Sequence, residues 1–421
     1  MIAGSMFLLF SLSFFLANYF PLIFLYFYLA VVTGFYGLAD GPVTLGIRFE
    51  GALFFLNLAL ILVLVLKSKL VSGCYMSKKI IFIFIVTLLH GMLVSVFFFN
   101  SPIFEAINTG KDFFSLLLLP YILLKKRITS HVLTHTVVSC SVILTSILLI
   151  YYSFGLHPVG YKVISGNDLG LHIRFDTLVF LGFTILCYLK LYTNSRLTRF
   201  TIMDWSLFVF LFIGSILVAH LSVNIAAFFV VICSILFKQA HINKHLKLVL
   251  RFLFLLAFAF PATYFIFNDT INSTINQILY LDGAFGSRFS ANVLRMNYMS
   301  EQLFLGYGFL GENSSISNYI TAISSTRFNS TLFTADFGFL DLTLRFGVIG
   351  VICFVVFGVR LLNSFKDEEK LYAIFVIISF ITMSFTWSPF TNIFGIVPIV
   401  IMLGVLMKRQ QEKELVQKII N

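Results

Sequence analysis

Charge is what this chain has least of. Only 11 % of its 421 residues are Asp, Glu, Lys or Arg, against about 25 % in a water-soluble domain, so a soluble globule is excluded. Cysteine is equally sparse, and its five copies (Cys74, Cys140, Cys187, Cys233, Cys353) stand apart with no C-x-x-C pair. That spacing supports neither a disulfide framework nor a thiolate metal site. No group of His, Asp and Glu has metal-ligand spacing either, so no protein-bound catalytic metal and no cofactor are expected. Residues 1–37 contain no charged side chain at all. The opening MIAGSMFLLF lacks the basic flank of a secretory signal and reads as a retained first span.

What is present is apolar: 59 % of the residues are hydrophobic and the mean hydropathy is +0.98. The expected fold class is all-α, a polytopic integral membrane protein. Spanning helices need ~20 apolar residues, and on that rule runs fall at 52–66, 80–99, 113–124, 132–154, 178–193, 205–219, 223–237, 252–267, 337–362, 371–386 and 392–407. With one or two more in residues 1–37, interrupted at Pro21, the count is about 12 and lies between 11 and 14. The formal charge of +11 comes from Lys and Arg in short clusters between these runs. Lys67, Lys69, Lys78 and Lys79, then Lys125, Lys126 and Arg127, Arg196 and Arg199, and Lys238, Lys244, Lys247 and Arg251 all fall on one side. Clusters so placed mark cytoplasmic loops, whereas a nucleic-acid binder gathers its cations on one face. No nucleic-acid partner is therefore expected, and membrane lipid is. The spans show no internal repeat, which weighs against the commonest transporter plan.

On the other side lie two polar loops, 155–176 and 268–334. Of the 67 residues in the longer loop, 24 are Ser, Thr or Asn. Ile278, Leu279, Tyr280, Leu281, Phe285, Phe289, Leu303, Phe304 and Phe309 are spread among them. A disordered segment would be poorer in large apolar groups, so a folded, partly helical and partly re-immersed loop is expected.

The candidate functional residues follow from where charge is kept. Arginine stays protonated and its planar fork fits phosphate oxygens two at a time. Arg174 in the shorter loop, with Arg288, Arg295 and Arg327 in the longer one, would together suit a lipid-linked diphosphate. The same arginines can be explained as solvated ion pairs, Arg174 with Asp176 and Arg288 with Asp282. His172 lies two residues from Arg174 and is a further candidate beside a phosphate. Asp336 stands where the long loop re-enters the membrane, a costly place for an unused carboxylate. It could take a proton from a hydroxyl, or cap the following helix, and the two roles can coexist. Asp341 and Arg345, four apart, share one helix face and can neutralise each other. His90 and His220 stand alone in apolar surroundings and read as satisfied buried histidines. Gly306, Gly308 and Gly311 are only faintly like a phosphate loop and, with no strand-loop-helix context, read as a turn.

From Arg288 to Gly350 the residues resemble a known family. SRFSANVLRMNYMSEQLFLGYGFLG followed by TADFGFLDLTLRFGVIG is similar to the carboxyl-terminal half of the bacterial Wzy-type O-antigen polymerases and the related O-antigen ligases. The residues that carry the likeness are Arg288, the G-x-G of Gly306 and Gly308, Asp336, Leu340, and the G-x-x-G of Gly347 and Gly350. Arg295 and Gly306 also fit an Arg, ten residues, Gly spacing. The counterpart in the shorter loop would begin at Arg174 but meets Ile185 where the glycine should be. Ligases typically carry His where this chain has Asp336, which leans toward a polymerase.

The resemblance implies a periplasm-facing, multi-pass enzyme of the bacterial inner membrane that joins undecaprenyl-diphosphate-linked repeat units. In it Arg174, Arg288, Arg295, Arg327 and His172 would engage the diphosphate, and Asp336 would meet the acceptor hydroxyl. Catalysis would fall to Asp336, Arg288 and Arg295. Its partners would be a lipid-linked glycan donor and acceptor, with a chain-length regulator protein as a further candidate. The nearest alternative is an O-antigen ligase that transfers glycan to a lipid A core. A lipid-linked oligosaccharide flippase or other transporter would be expected to carry charges along the midplane of several helices, whereas here they gather in two outer loops, with Asp341 and Arg345 as the main exception.

Overall fold

The computed structural model describes residues 2–33, 42–43, 47–66, 75–154, 176–192, 202–217, 221–236, 299–310, 338–384, 390 and 393–420. Among these the chain is helical, apart from one two-residue antiparallel pair, β1 (Pro42–Val43) with β2 (Ile47–Arg48). The all-α class expected from the sequence is what the described residues adopt. The helices are α1 (Ile2–Tyr19), α2 (Pro21–Val32), α3 (Phe49–Leu66), α4 (Tyr75–Leu93), α5 (Ile103–Gly110), α6 (Leu118–Leu124) and α7 (Ser130–Phe154). After these come α8 (Asp176–Leu186), α9 (Ile202–Leu217), α10 (Leu221–Leu236), α11 (Gly338–Leu362), α12 (Asp367–Met383) and α13 (Ile393–Ile420).

Two of the described helices are long and apolar enough to cross a membrane, over Ser130–Ile150 and Leu340–Leu362, with mean hydropathies of 2.0 and 2.3. The other apolar helices are shorter, and the backbone changes pitch in three places. A π segment, Val94–Phe98, continues α4 and another, Cys187–Tyr192, continues α8, while a 3-10 segment, Lys111–Leu117, leads into α6. Val94–Phe98 is apolar apart from Ser95, so a count of apolar residues cannot detect that change of pitch, whereas Lys111, Asp112 and Lys190 stand within the other two segments.

The break between α1 and α2 has a definite cause. Pro21 has no N–H to give the Ala17 carbonyl, and its ring disfavours a continuous helix. The freed Ala17 oxygen accepts a hydrogen bond from the Tyr121 hydroxyl at 2.7 Å. The next carbonyl, of Asn18, accepts from Lys125 Nζ at 2.8 Å. Elsewhere small residues let helices approach closely. A Cβ on Gly182 of α8 would collide with Ser141 of α7, and one on Gly214 of α9 with Thr145 of α7. Ser141 Oγ hydrogen-bonds to the Leu178 carbonyl at 2.8 Å, tying α7 to α8.

One end of the bundle collects charged side chains that are distant in sequence. Lys408 Nζ donates to the carbonyls of Leu123 and Lys125 at 3.2 and 3.1 Å, satisfying the C-terminal end of α6. Glu412 accepts from the backbone and hydroxyl of Ser130, capping the start of α7. Buried Glu369 pairs with Lys413 at 2.6 Å and accepts from Tyr188 at 3.4 Å. Lys125, of a basic cluster that the sequence places on one side, is thereby brought together with charged residues of α13. At the start of α13, the backbone N–H of Ile393 donates to Asp112 Oδ2 at 3.2 Å.

Candidate functional site

Residues 299–310 of the long loop pack into the helices rather than over them. The main-chain bonds explain how. Within α11, Gly347 has φ 62° and ψ −175°, a conformation that belongs almost wholly to glycine and that breaks the helix. A broken helix leaves amides and carbonyls without their partners four residues away. Here the loop supplies them. The N–H of Tyr307 donates to the Leu344 carbonyl at 2.7 Å and that of Gly308 to the Arg345 carbonyl at 2.9 Å. Beyond the break, Val348 N–H donates to Leu303 O at 2.8 Å and Ile349 N–H to Phe304 O at 3.4 Å.

This crossing requires glycine on both strands. Gly306 and Gly308 also have positive φ, 70° and 68°. A Cβ on Gly306 would stand 2.5 Å from the Gly347 nitrogen, and one on Gly347 would collide with the Phe304 carbonyl. A Cβ on Gly308 would strike the Gly91 carbonyl of α4. Gly306 and Gly308, which the sequence separates from Gly347 by about forty positions, therefore form one joint with it, while Gly350 packs against Phe346 of its own helix.

The joint is anchored to α4. Phe309 N–H donates to the Gly91 carbonyl at 3.1 Å, and His90 Nε2 lies 2.9 Å from the Leu305 carbonyl, so that nitrogen carries the proton and donates. The Phe309 ring is fully buried, in a seat that Gly91 and Gly110 leave open; a Cβ on either would fall within 2.5 to 2.7 Å of it. Phe113 and Phe346 close the seat, with ring centroids at 5.4 and 5.6 Å. Tyr307, Leu310, Leu340 and Leu344 form a second small core beside it.

Just before the break, on the first half of α11, lies the expected pair. Arg345 Nε donates to both Asp341 oxygens at 3.3 Å, and Asp341 is only 3 % exposed. In so apolar a setting each charge depends on the other, which fits the structural reading of this pair. His90 is also held as expected, by a hydrogen bond.

The turn expected at Gly306 and Gly308 is present, and its amides are already used. Gly306 N–H donates to Gln302 O at 2.9 Å, and those of Tyr307, Gly308 and Phe309 are bonded as above. A phosphate cradle needs free, converging N–H groups, so this joint holds helices together and does not bind an anion through its backbone.

Asp336, Arg288, Arg295, Arg174, Arg327 and His172 all lie outside the described residues, as do Asp282, Gly311 and His220. Asp336 precedes the first residue of α11 by two positions. Sequence reasoning missed Gly91, Gly110 and Phe309 as a seat and plug. A glycine on each of two neighbouring apolar segments, and one Phe directly after a G-x-G, was the available signal. Among the described residues no three of His, Cys, Asp and Glu are grouped so as to hold a metal ion. No protein-family model matches the sequence, and no curated protein matches it.

Proposed function

We propose that this chain is a membrane glycosyltransferase that polymerises undecaprenyl-diphosphate-linked repeat units at the periplasmic face of a bacterial inner membrane. The observation that supports this most is the joint itself. The G-x-G on which the resemblance rests interlocks with Gly347, the first glycine of the G-x-x-G, within the helix that follows Asp336 in sequence. In this reading the chain crosses the membrane about twelve times. The charged end around Glu369, Lys408 and Glu412 faces the cytoplasm, and the joint lies toward the periplasm.

The donor is a growing glycan on undecaprenyl diphosphate and the acceptor a single repeat unit on the same carrier. An acceptor hydroxyl at its non-reducing end attacks the donor's anomeric carbon with inversion. The new C–O bond forms as the bond to the diphosphate oxygen breaks, and undecaprenyl diphosphate departs with the bonding pair. Asp336 aligns the hydroxyl and takes its proton. Arg288 and Arg295 stabilise the negative charge that collects on the leaving group, with Arg174, Arg327 and His172 holding the same diphosphate. Fixed cations aimed at developing charge are commonly the largest catalytic contribution. No metal ion and no nucleotide sugar take part.

The test is incubation of purified protein with its lipid-linked repeat unit. Wild type builds a ladder on the carrier without added metal, and Arg288→Ala does not. A single transfer to a lipid A core acceptor, with no ladder, would assign the ligase activity instead.

A further inference from the structure

We infer that residues 303–308 are a removable splice in α11 that sets how the two halves of that helix lie relative to each other. The inference rests on the hydrogen-bond partners on either side of the Gly347 break. In an uninterrupted α-helix each N–H donates to the carbonyl four residues earlier. Val348 would therefore donate to Leu344, and Ile349 to Arg345. Those are the carbonyls taken by Tyr307 and Gly308, while Val348 and Ile349 donate to Leu303 and Phe304. Two bonds internal to α11 have been opened and four bonds to the loop inserted in their place.

The exchange is reversible in principle, because α11 holds the partners for both arrangements. If residues 303–308 withdraw, Leu344, Arg345, Val348 and Ile349 can pair among themselves as Gly347 returns to helical angles. The spliced arrangement dominates, since it has more hydrogen bonds and is held by His90 to Leu305 and by the buried Phe309. Phe309 serves as the pivot. Closing the break swings the first half of α11, with Asp341 and Arg345, relative to the second half. In the polymerase reading, this half of α11 is the segment that follows Asp336 in sequence and leads into the site. This consequence for catalysis depends on the polymerase reading; the two-state helix does not.

Gly347→Ala favours the continuous helix, because alanine is strained at φ 62° and is the best helix former. Gly358→Ala, in the same helix with nothing within 4 Å of its Cβ position, is the control. Spin labels on Phe304→Cys and Ile352→Cys, both exposed, report the splice in a Cys74→Ser, Cys353→Ala background reconstituted in nanodiscs. Gly347→Ala should broaden and lengthen the label distance. It should also lower kcat about tenfold while KM for the lipid-linked unit stays within about twofold, as when both states bind the unit and only the spliced one turns it over. Gly358→Ala should change neither. An unaltered label distance in Gly347→Ala overturns the splice.

Should Gly347→Ala fail to fold, hydrogen exchange on wild type decides. Peptides covering 303–310 and 346–352 must exchange at one common rate, and different rates would overturn the inference. If wild type makes no polymer yet the label distance responds, the functional reading falls and the splice stands. If polymer forms and the distance does not respond, the splice falls alone.

Discussion

At the scale of single residues, the interlock depends on glycines that nothing else can replace. A residue forced into a sparsely populated backbone region costs ~1–3 kcal/mol, and at Gly306 and Gly347 a side chain would also meet backbone atoms that cannot move aside. Gly306→Ala and Gly347→Ala should each lower thermal stability by that order, read as the unfolding midpoint in detergent. Gly358→Ala should stay within about 0.5 kcal/mol of wild type. The Asp341 and Arg345 pair gives a second prediction. Removing one member of a buried pair costs roughly 3–5 kcal/mol, whereas replacing both by apolar residues of similar volume is often neutral. Asp341→Leu alone should therefore be much less stable than the Asp341→Leu, Arg345→Met double variant. Equal losses in a double-mutant cycle would show that the two side chains do not support each other.

At the scale of elements, helix ends are satisfied by side chains from distant parts of the chain. Lys408 caps α6 and Glu412 caps α7, so α13 clamps the ends of two earlier helices. Lys408→Met keeps the stem and removes the donor. It leaves the Leu123 and Lys125 carbonyls short of a buried partner, at a cost of ~1–3 kcal/mol. A melting point equal to that of wild type would contradict this.

Elements are also where sequence reasoning reached its limits. Apolar runs located most helices, and the helical pairing of Asp341 with Arg345 followed from spacing alone. The break at Gly347 did not, because Phe346, Val348 and Ile349 keep the run apolar and the partners that stabilise the break come from forty residues away. The π segment at Val94–Phe98 was hidden because its run stays apolar. Pro21 was different: its missing N–H marks an interruption in any context, though only the fold shows Tyr121 supplying the freed carbonyl with a partner. Of the candidate site, the glycines were legible as a turn and as part of a resemblance. That they join to each other was not, since contact between positions 306 and 347 leaves no local pattern.

At the scale of the whole molecule, the described helices gather structural ion pairs such as Glu369 with Lys413 at one end of an apolar bundle. The spliced helix break, into which residues 299–310 of the long polar loop are drawn, lies against α4. In the proposed reading, a loop anchored in this way holds a saccharide against α11, and the loop's arginines and Asp336 carry the chemistry. The most direct measurement is polymer formation by the purified, reconstituted protein from its undecaprenyl-linked repeat unit, with Arg288→Ala, Arg295→Ala and Asp336→Asn assayed beside it. The account predicts a ladder from wild type without metal or nucleotide sugar, and a loss of at least ~100-fold in kcat for Arg288→Ala, as for removal of a single donor to a developing oxyanion. A full ladder from all three variants would contradict it.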